Sequence, residues 1–487
     1  MLRATPRPHG FWLGAVAAVG MGGCSPAAQS QQTFVLKPGQ NLEAIVGHAP
    51  EGTRFLLEPG IYRQQTIRPK NRQEFIGQEG AILSGALVLA SWTEHAGLWK
   101  HEGLPEPLEF RGECDEGREL CGHREDLFVN GRIYRRVAFL EDLGPGTWYY
   151  EDRSAHMSDD PTGQLVELGV TPLAFGGIAE GVLIKDLVVE KYASNAQEGA
   201  IFTDEARGWR LSNVTARWNH GAGLSFGPQT QVEGGSFSHN GQIGIAGSGG
   251  EGSSIEGVEI AFNNYAGYNA GWEAGGTKFW ATTGLVVRDS CVHHNAGPGL
   301  WTDFDNIDTL YEGNTVFSNA NEGIKHEISY DAIIRDNIVA GNGGGFDEWL
   351  WGSQILVQNS SNVAVYGNLV EVAADFGNGI SVVHQDRGQG AHGPWQAFRN
   401  GVHDNTIIHL GSHGQNGIAT DEDGASFWKE DNNEFDRNTY IVANAGARHW
   451  TSINRDAVWQ EVGALGLEPN GELIVEQRAP TAPSCER

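Results

Sequence analysis

GVEIAFN (257–263), VVRDSCVHHN (286–295), LYEGNTVFSN (310–319) and IIRDNIVAGN (333–342) follow one another as versions of one phrase. Each closes on an asparagine, at Asn263, Asn295, Asn319 and Asn342, and Asn219 and Asn240 extend the series upstream. The successive gaps are 21, 23, 32, 24 and 23 residues. A repeat this short, alternating in the β manner with no helical stripe, is one coil of a solenoid and not a domain. Its strands are too short to bury a face alone, so each coil must stack on a neighbour about 4.8 Å away, as in a parallel β-helix. Asparagine suits the recurring turn because its amide donates and accepts, and because it tolerates left-handed turn geometry. The Asn column therefore reads as structural.

Composition agrees with a single long all-β solenoid: 487 residues, 68 of them glycine, 39% hydrophobic and 19% charged. A formal charge of −28 and a pI near 4.9 argue against nucleic acid or an anionic membrane surface as partner, although a local basic groove can still hold an acidic polysaccharide. The opening MLRATPRPHGFWLGAVAAVGMGGC has Arg3 and Arg7, a short apolar run from Phe11 to Met21, and small residues after it. That is an export signal over 1–24, too short to span a bilayer. Its end resembles a bacterial lipobox, which would make Cys24 a lipidation site and the lipid the protein's membrane contact. Free secretion after cleavage nearby is the alternative, and either route expects an exported monomer. Residues 25–32 read as a linker. Export favours a local disulfide between Cys114 and Cys121. Cys291 is expected buried on a strand, and Cys485 unpaired in a tail.

From Thr33 the chain alternates short strands with Pro-Gly and Glu-Gly corners, and a short helix at Asn41–Gly47 is placed to cap the first coil. This opening resembles the pectin-lyase-like superfamily of right-handed parallel β-helices, over 33–445. The resemblance supplies the handedness. Residues 91–170 interrupt the coils with hairpin signals and read as a β-rich insertion, with Trp148, Tyr149 and Tyr150 as its core. A second turn column is read through Asn213, Ser290, Asn314, Asn337, Asn368 and Asn405, and 446–487 as a cap or tail.

The candidate site lies where the coils depart from the pattern. Between Asn263 and Asn295 the coil is enlarged by NYAGYNAGWEAGGTKFWATTG, and the following coils carry WTDFDN and IKHEIS at matching places. Loops added to a regular scaffold are where function is usually placed. With Gly299 and Gly323 aligned, Trp301 pairs with Lys325, Thr302 with His326, and Asp303 with Glu327. Backward counting puts Phe279 or Trp280 in the Asp303 column, so Lys278, Asp303 and Glu327 are expected to form one stack after a small slip. Two carboxylates so close must raise one pKa, hold a cation or recruit a Lys or His. Catalytic candidates are Lys278, Asp303, His326 and Glu327. Candidate Ca²⁺ ligands are Glu273, Asp303, Asp305 and Glu327. Candidate sugar contacts are Trp272, Trp280, Trp301 and Lys325, with Trp349 and Trp351 nearby. His384, Asp386 and Arg387 are expected at outer subsites, as are Asp421, placed in the Asp303/Glu327 column, and Asp423.

Glu273-Ala-Gly-Gly-Thr-Lys278 resembles the Glu-x4-Lys element of the alginate lyase and chondroitinase B family. The resemblance implies Glu273 as a calcium ligand and Lys278 as the base of a β-elimination at a uronic acid. The family's preceding Glu is Gly271 here, and its Arg one coil later is replaced around Gly299-Leu300-Trp301. A polysaccharide lyase is thus placed slightly ahead of a glycoside hydrolase using the carboxylate pair. The third reading is a glycan-binding surface lipoprotein without catalysis.

Overall fold

The computed structural model describes residues 31–421 and 433–485. The segment read as an export signal, Cys24 and Asp423 lie outside the described residues.

Three walls of short parallel strands wind around one core. In one repeat, Ser254–Glu256 and Glu259–Ala261 form walls A and B, and Gly275–Trp280 forms wall C. Because side chains alternate across a strand, every second residue of each wall points inward and meets its copy from the next coil. Ile255, Val287, Tyr311, Ile334 and Val365 form one such inward column, each with no exposed surface. Leu42–His48 is the capping helix. Asn41 accepts from Ala44 N at 3.0 Å, and Leu42 and Val46 close the core.

The Asn column is a continuous ladder. Each Nδ2 donates to the Oδ1 above it: Asn219 to Asn240 at 3.1 Å, Asn263 to Asn295 at 2.8 Å, Asn319 to Asn342 at 2.9 Å. The second column runs from Ser290 through Asn314, Asn337, Asn368 and Asn405 to Asn438. Asn213 is not part of it. It sits exposed at φ 52° within the strand Arg210–Arg217 and donates to Asp186, and the ladder's place in that coil falls to the adjoining Val214.

The coils continue past 445, since Glu472–Val475 pairs in parallel with Thr439–Val442. The tail then runs back along wall B. Thr481 N donates to Glu371 at 3.0 Å, and Cys485 is joined to Cys291. Cys485 is therefore paired, contrary to expectation, because the tail folds back instead of leaving the solenoid. Cys114 is joined to Cys121.

The insertion is an eight-stranded mixed sheet from Ala86–Val88 to Val166–Gly169, with its own core around Trp148, Met157 and Leu168. It is clasped to the coils where Glu167 meets Lys191 and Arg63, each at 2.6 Å. A second clasp is Asp126, which His220 meets at 2.9 Å and the Tyr265 hydroxyl at 2.6 Å. Among the described residues no helix is long and apolar enough to cross a membrane.

Candidate active site

The outward face of wall C carries the charged cluster. Its strands Gly275–Trp280, Leu300–Asp303, Ile324–Glu327 and Ser353–Gln358 lie side by side. Asp303 is in register with Glu327, and Glu327 with Gln358. Phe279 pairs with Thr302, so Trp280 takes the Asp303 column and Lys278 the Trp301 column. The single stack expected for Lys278, Asp303 and Glu327 is therefore two neighbouring columns. Lys278 reaches Asp303 diagonally, Nζ to Oδ2, at 2.9 Å.

The ions alternate in sign. Lys278 also lies 3.4 Å from Glu273 and donates to the Trp272 carbonyl at 3.1 Å, while Gln197 Nε2 donates to Glu273 at 2.6 Å. Lys325 meets Glu327 Oε2 at 2.7 Å, and Arg387 meets Oε1 at 3.0 Å. Trp301 donates its indole N–H to Glu327 Oε2 at 3.1 Å, with the Lys278 and Lys325 ammoniums 4.1 and 4.7 Å from its ring centre. Three carboxylates thus face three cations.

The two carboxylates of the register pair differ. Asp303 Oδ1 is buried without a hydrogen-bond partner among the described residues. Burial, then the neighbouring Glu327 charge, pushes the Asp303 pKa up against the pull of Lys278. Burial opposes ionisation of Glu327 too, but Lys325 and Arg387 outweigh it and hold that carboxyl below its ordinary value. A proton shared by the pair accordingly rests on Asp303.

Several expected roles do not survive the alternation of the strand. His326 points inward, fully buried, bonded to the Thr302 hydroxyl at 2.7 Å and the Tyr330 carbonyl at 3.1 Å. Burial drives its pKa down to about 4, so it neither faces the groove nor holds a proton at neutral pH. His384 is also buried, and its Nδ1 accepts from Ala397 N at 3.3 Å. Trp301 is 2% exposed and roofed by lysines, which leaves no ring face for a sugar. Trp272 packs on Tyr268 beside the Cys114–Cys121 loop, and Trp280 stands half-buried in the Asp303 column. Lys325 is spent on Glu327, not on substrate. Asp421 misses the Asp303/Glu327 column, which continues to Val383 and Ala419. It accepts instead from Gln385 Nε2 at 2.7 Å.

The calcium set does not fit. Asp305 is occupied by Trp395 Nε1 and Ala391 N, both at 3.0 Å, and so anchors the loop that delivers Arg387. Among the described residues no three of Glu273, Asp303, Asp305 and Glu327 bring one oxygen each within 4.8 Å of one another. The grouping that does converge is Cys291, His293 and Cys485, and its two sulfurs form the disulfide. A Ca²⁺ site needs six to eight oxygens free of competing cations, and here ammonium and guanidinium groups take that place.

Missed by the sequence reading were Gln197 and Gln358. Gln358 turns its amide nitrogen toward Glu327 at 3.3 Å and its oxygen toward Arg387 at 3.1 Å. It follows Glu327 in the same outward column, so extending that register by one coil would have found it.

These observations define a right-handed parallel β-helix with a charged groove on one wall. The family model described as "Right handed beta helix region" matches residues 199–362. The solved complex of XylC with xylose is similar at 15% identity and TM-score 0.65, covering 89% of this chain and 82% of that one. The Azotobacter vinelandii mannuronan C-5 epimerase AlgE6 A-module is similar at 15% identity, TM-score 0.47, over 91% of this chain and 95% of that one. A mannuronic acid specific polysaccharide family 6 lyase from human gut microbiota stands at 10% identity, TM-score 0.46, over 92% of each chain. No curated protein matches significantly. The superfamily resemblance is borne out at the level of the fold, and the fold is shared by different reactions.

Proposed function

We propose that the chain is a carbohydrate-active enzyme that hydrolyses glycosidic bonds with retention, using Asp303 and Glu327. The observation that carries this reading is their register on adjacent strands of wall C, with opposite displacement of their pKa values. In-register side chains on adjacent parallel strands sit about 5 Å apart, the separation a retaining pair needs; an inverting pair is wider to admit a water.

The protonated Asp303 gives its proton to the glycosidic oxygen as that bond breaks. The ionised Glu327 bonds to the anomeric carbon. Asp303, now a carboxylate beside Lys278, takes a proton from water, whose oxygen displaces Glu327 and restores both groups. Trp301, Lys325 and Arg387 orient Glu327 and keep it ionised. The sugar-handling relatives of this fold, XylC with xylose among them, support the carbohydrate class.

Elimination is the second reading, favoured by the Glu273–Lys278 contact and by Arg387, which brings to the groove an arginine absent from the neighbouring coil. A panel of neutral and uronate glycans, followed in parallel for reducing ends and for absorbance of unsaturated ends, separates the two. Reducing ends without absorbance, abolished in Asp303→Asn and Glu327→Gln, are expected. Both signals rising together would overturn hydrolysis in favour of elimination, and silence in a folded protein across the panel would favour a binding protein.

A further inference from the structure

The outward face of wall C changes character beyond Gln358. Leu356, Val383, Ala419 and Leu350 form a small apolar floor, with Trp351 packed on it. Trp349, 38% exposed, stands edge-to-face to Trp351 at 5.4 Å and 77°. Between this aromatic side and the far rim is an open pocket of about 260 Å³, lined by Trp349, Trp351, Gln385, Thr420, Asp421 and Asn454.

We propose that this pocket is a subsite for a neutral sugar unit of the glycan. Two indoles offer apolar faces for the C–H side of a sugar ring, and amides and a carboxylate suit its hydroxyls. Gln385 lies 2.8 Å from the Gln358 amide and donates to Asp421 at 2.7 Å. Among the described residues no Lys, Arg or His lines the pocket, and Asp421 would repel a uronate carboxylate held there unpaired. The pocket also joins the reacting groups: Gln358 touches Glu327 and Arg387 on one side and Gln385 on the other. Val383 and Ala419 in its floor lie two and three strand spacings from Glu327, about 10–15 Å, so the chain of sugars would run along wall C toward the C-terminal coils. This placement rests on the reading of Asp303 and Glu327 as the cleavage site. The preference for a neutral ring rests on the pocket alone.

The test uses the full chain carrying Asp303→Asn, so that nothing is cleaved. Titrations with xylohexaose, cellohexaose and mannohexaose are compared with hexamannuronate and hexagalacturonate, followed by calorimetry and tryptophan fluorescence. At least one neutral hexamer is expected to bind and the uronates not. Trp349→Ala is expected to weaken that binding about 3- to 10-fold, with a loss also in Asp421→Asn, which preserves shape. Uronates binding as tightly as neutral hexamers, no neutral hexamer binding, or binding unchanged in both variants would each overturn the subsite. Neutral hexamers held through Trp349 but never cleaved by the unsubstituted chain would uphold the subsite while removing the hydrolase. Cleavage with unchanged KM in both variants would remove the subsite and leave the hydrolase.

Discussion

Glu327→Gln and Asp303→Asn should both abolish turnover while parting company in stability. The Glu327 side chain is 6% exposed and sits between Lys325 at 2.7 Å and Arg387 at 3.0 Å. Removing its charge strands the buried Lys325 ammonium over the ring that Lys278 already shares. Breaking a buried pair from one side costs about 3–5 kcal/mol. Arg387 is 37% exposed, so solvent limits its part to about 1 kcal/mol, and glutamine can keep the bond from Trp301. The expected loss is about 3 kcal/mol. Asp303 instead carries a carboxyl that burial and Glu327 both penalise, and without it Lys278 still has Glu273 and the Trp272 carbonyl. Asp303→Asn should change stability by no more than about 1 kcal/mol. The assay is denaturant unfolding without ligand, with amide exchange across Ile324–Glu327 as the local readout. The pH dependence has a fixed sign. Glu327 has a depressed folded pKa, so its stabilisation is present above the unfolded value, about 4.3, and is lost as pH falls through the folded pKa. The gap between parent and Glu327→Gln should therefore close in acid. Equal losses in the two variants, or no loss in Glu327→Gln at neutral pH, would refute the ion arrangement.

Arg387→Met removes one of the cations holding Glu327 ionised, so the acidic limb of kcat/KM should move to higher pH by about one unit; an unmoved limb would separate Arg387 from the reaction. Cys485→Ser releases a bridge spanning 194 residues, for which chain entropy sets an upper bound of about 5 kcal/mol. Because coils contact only their neighbours, exchange should rise in Thr439–Val442 and Glu472–Val475 and stay slow in Gly275–Trp280; uniform loosening would contradict a local clamp. Exhaustive chelation should leave both turnover and unfolding unchanged, and activity lost to chelator but restored by Ca²⁺ would contradict the charge-balanced site.

Much of the fold was legible because a solenoid writes its geometry as periodicity. The Asn repeats marked the coils from Asn219 to Asn405, and the Asp303–Glu327 pairing followed from counting between two glycines. What counting missed has physical causes. Strand parity decides which residues face the groove, and it sends His326 inward beside the outward Asp303 and Glu327. Loop residues are outside any register, so nothing in their spacing shows that Asp305 anchors the Trp395 loop or that Arg387 reaches back to Glu327. Asp421 was misplaced because the register slips by two residues where Val382 meets Ile418. Cys485 was misread because a tail with no repeat gives no hint that it retraces the solenoid.

The most direct test follows the anomeric configuration of the first-formed product by proton NMR on a glycan the enzyme cleaves, then repeats the reaction with azide and the Ala variants. The account predicts net retention, a glycosyl azide of retained configuration from Asp303→Ala, and one of inverted configuration from Glu327→Ala. Azide products of the opposite configurations would exchange the two roles. An inverted first product, or an unsaturated sugar in its place, would contradict a retaining pair built on adjacent coils.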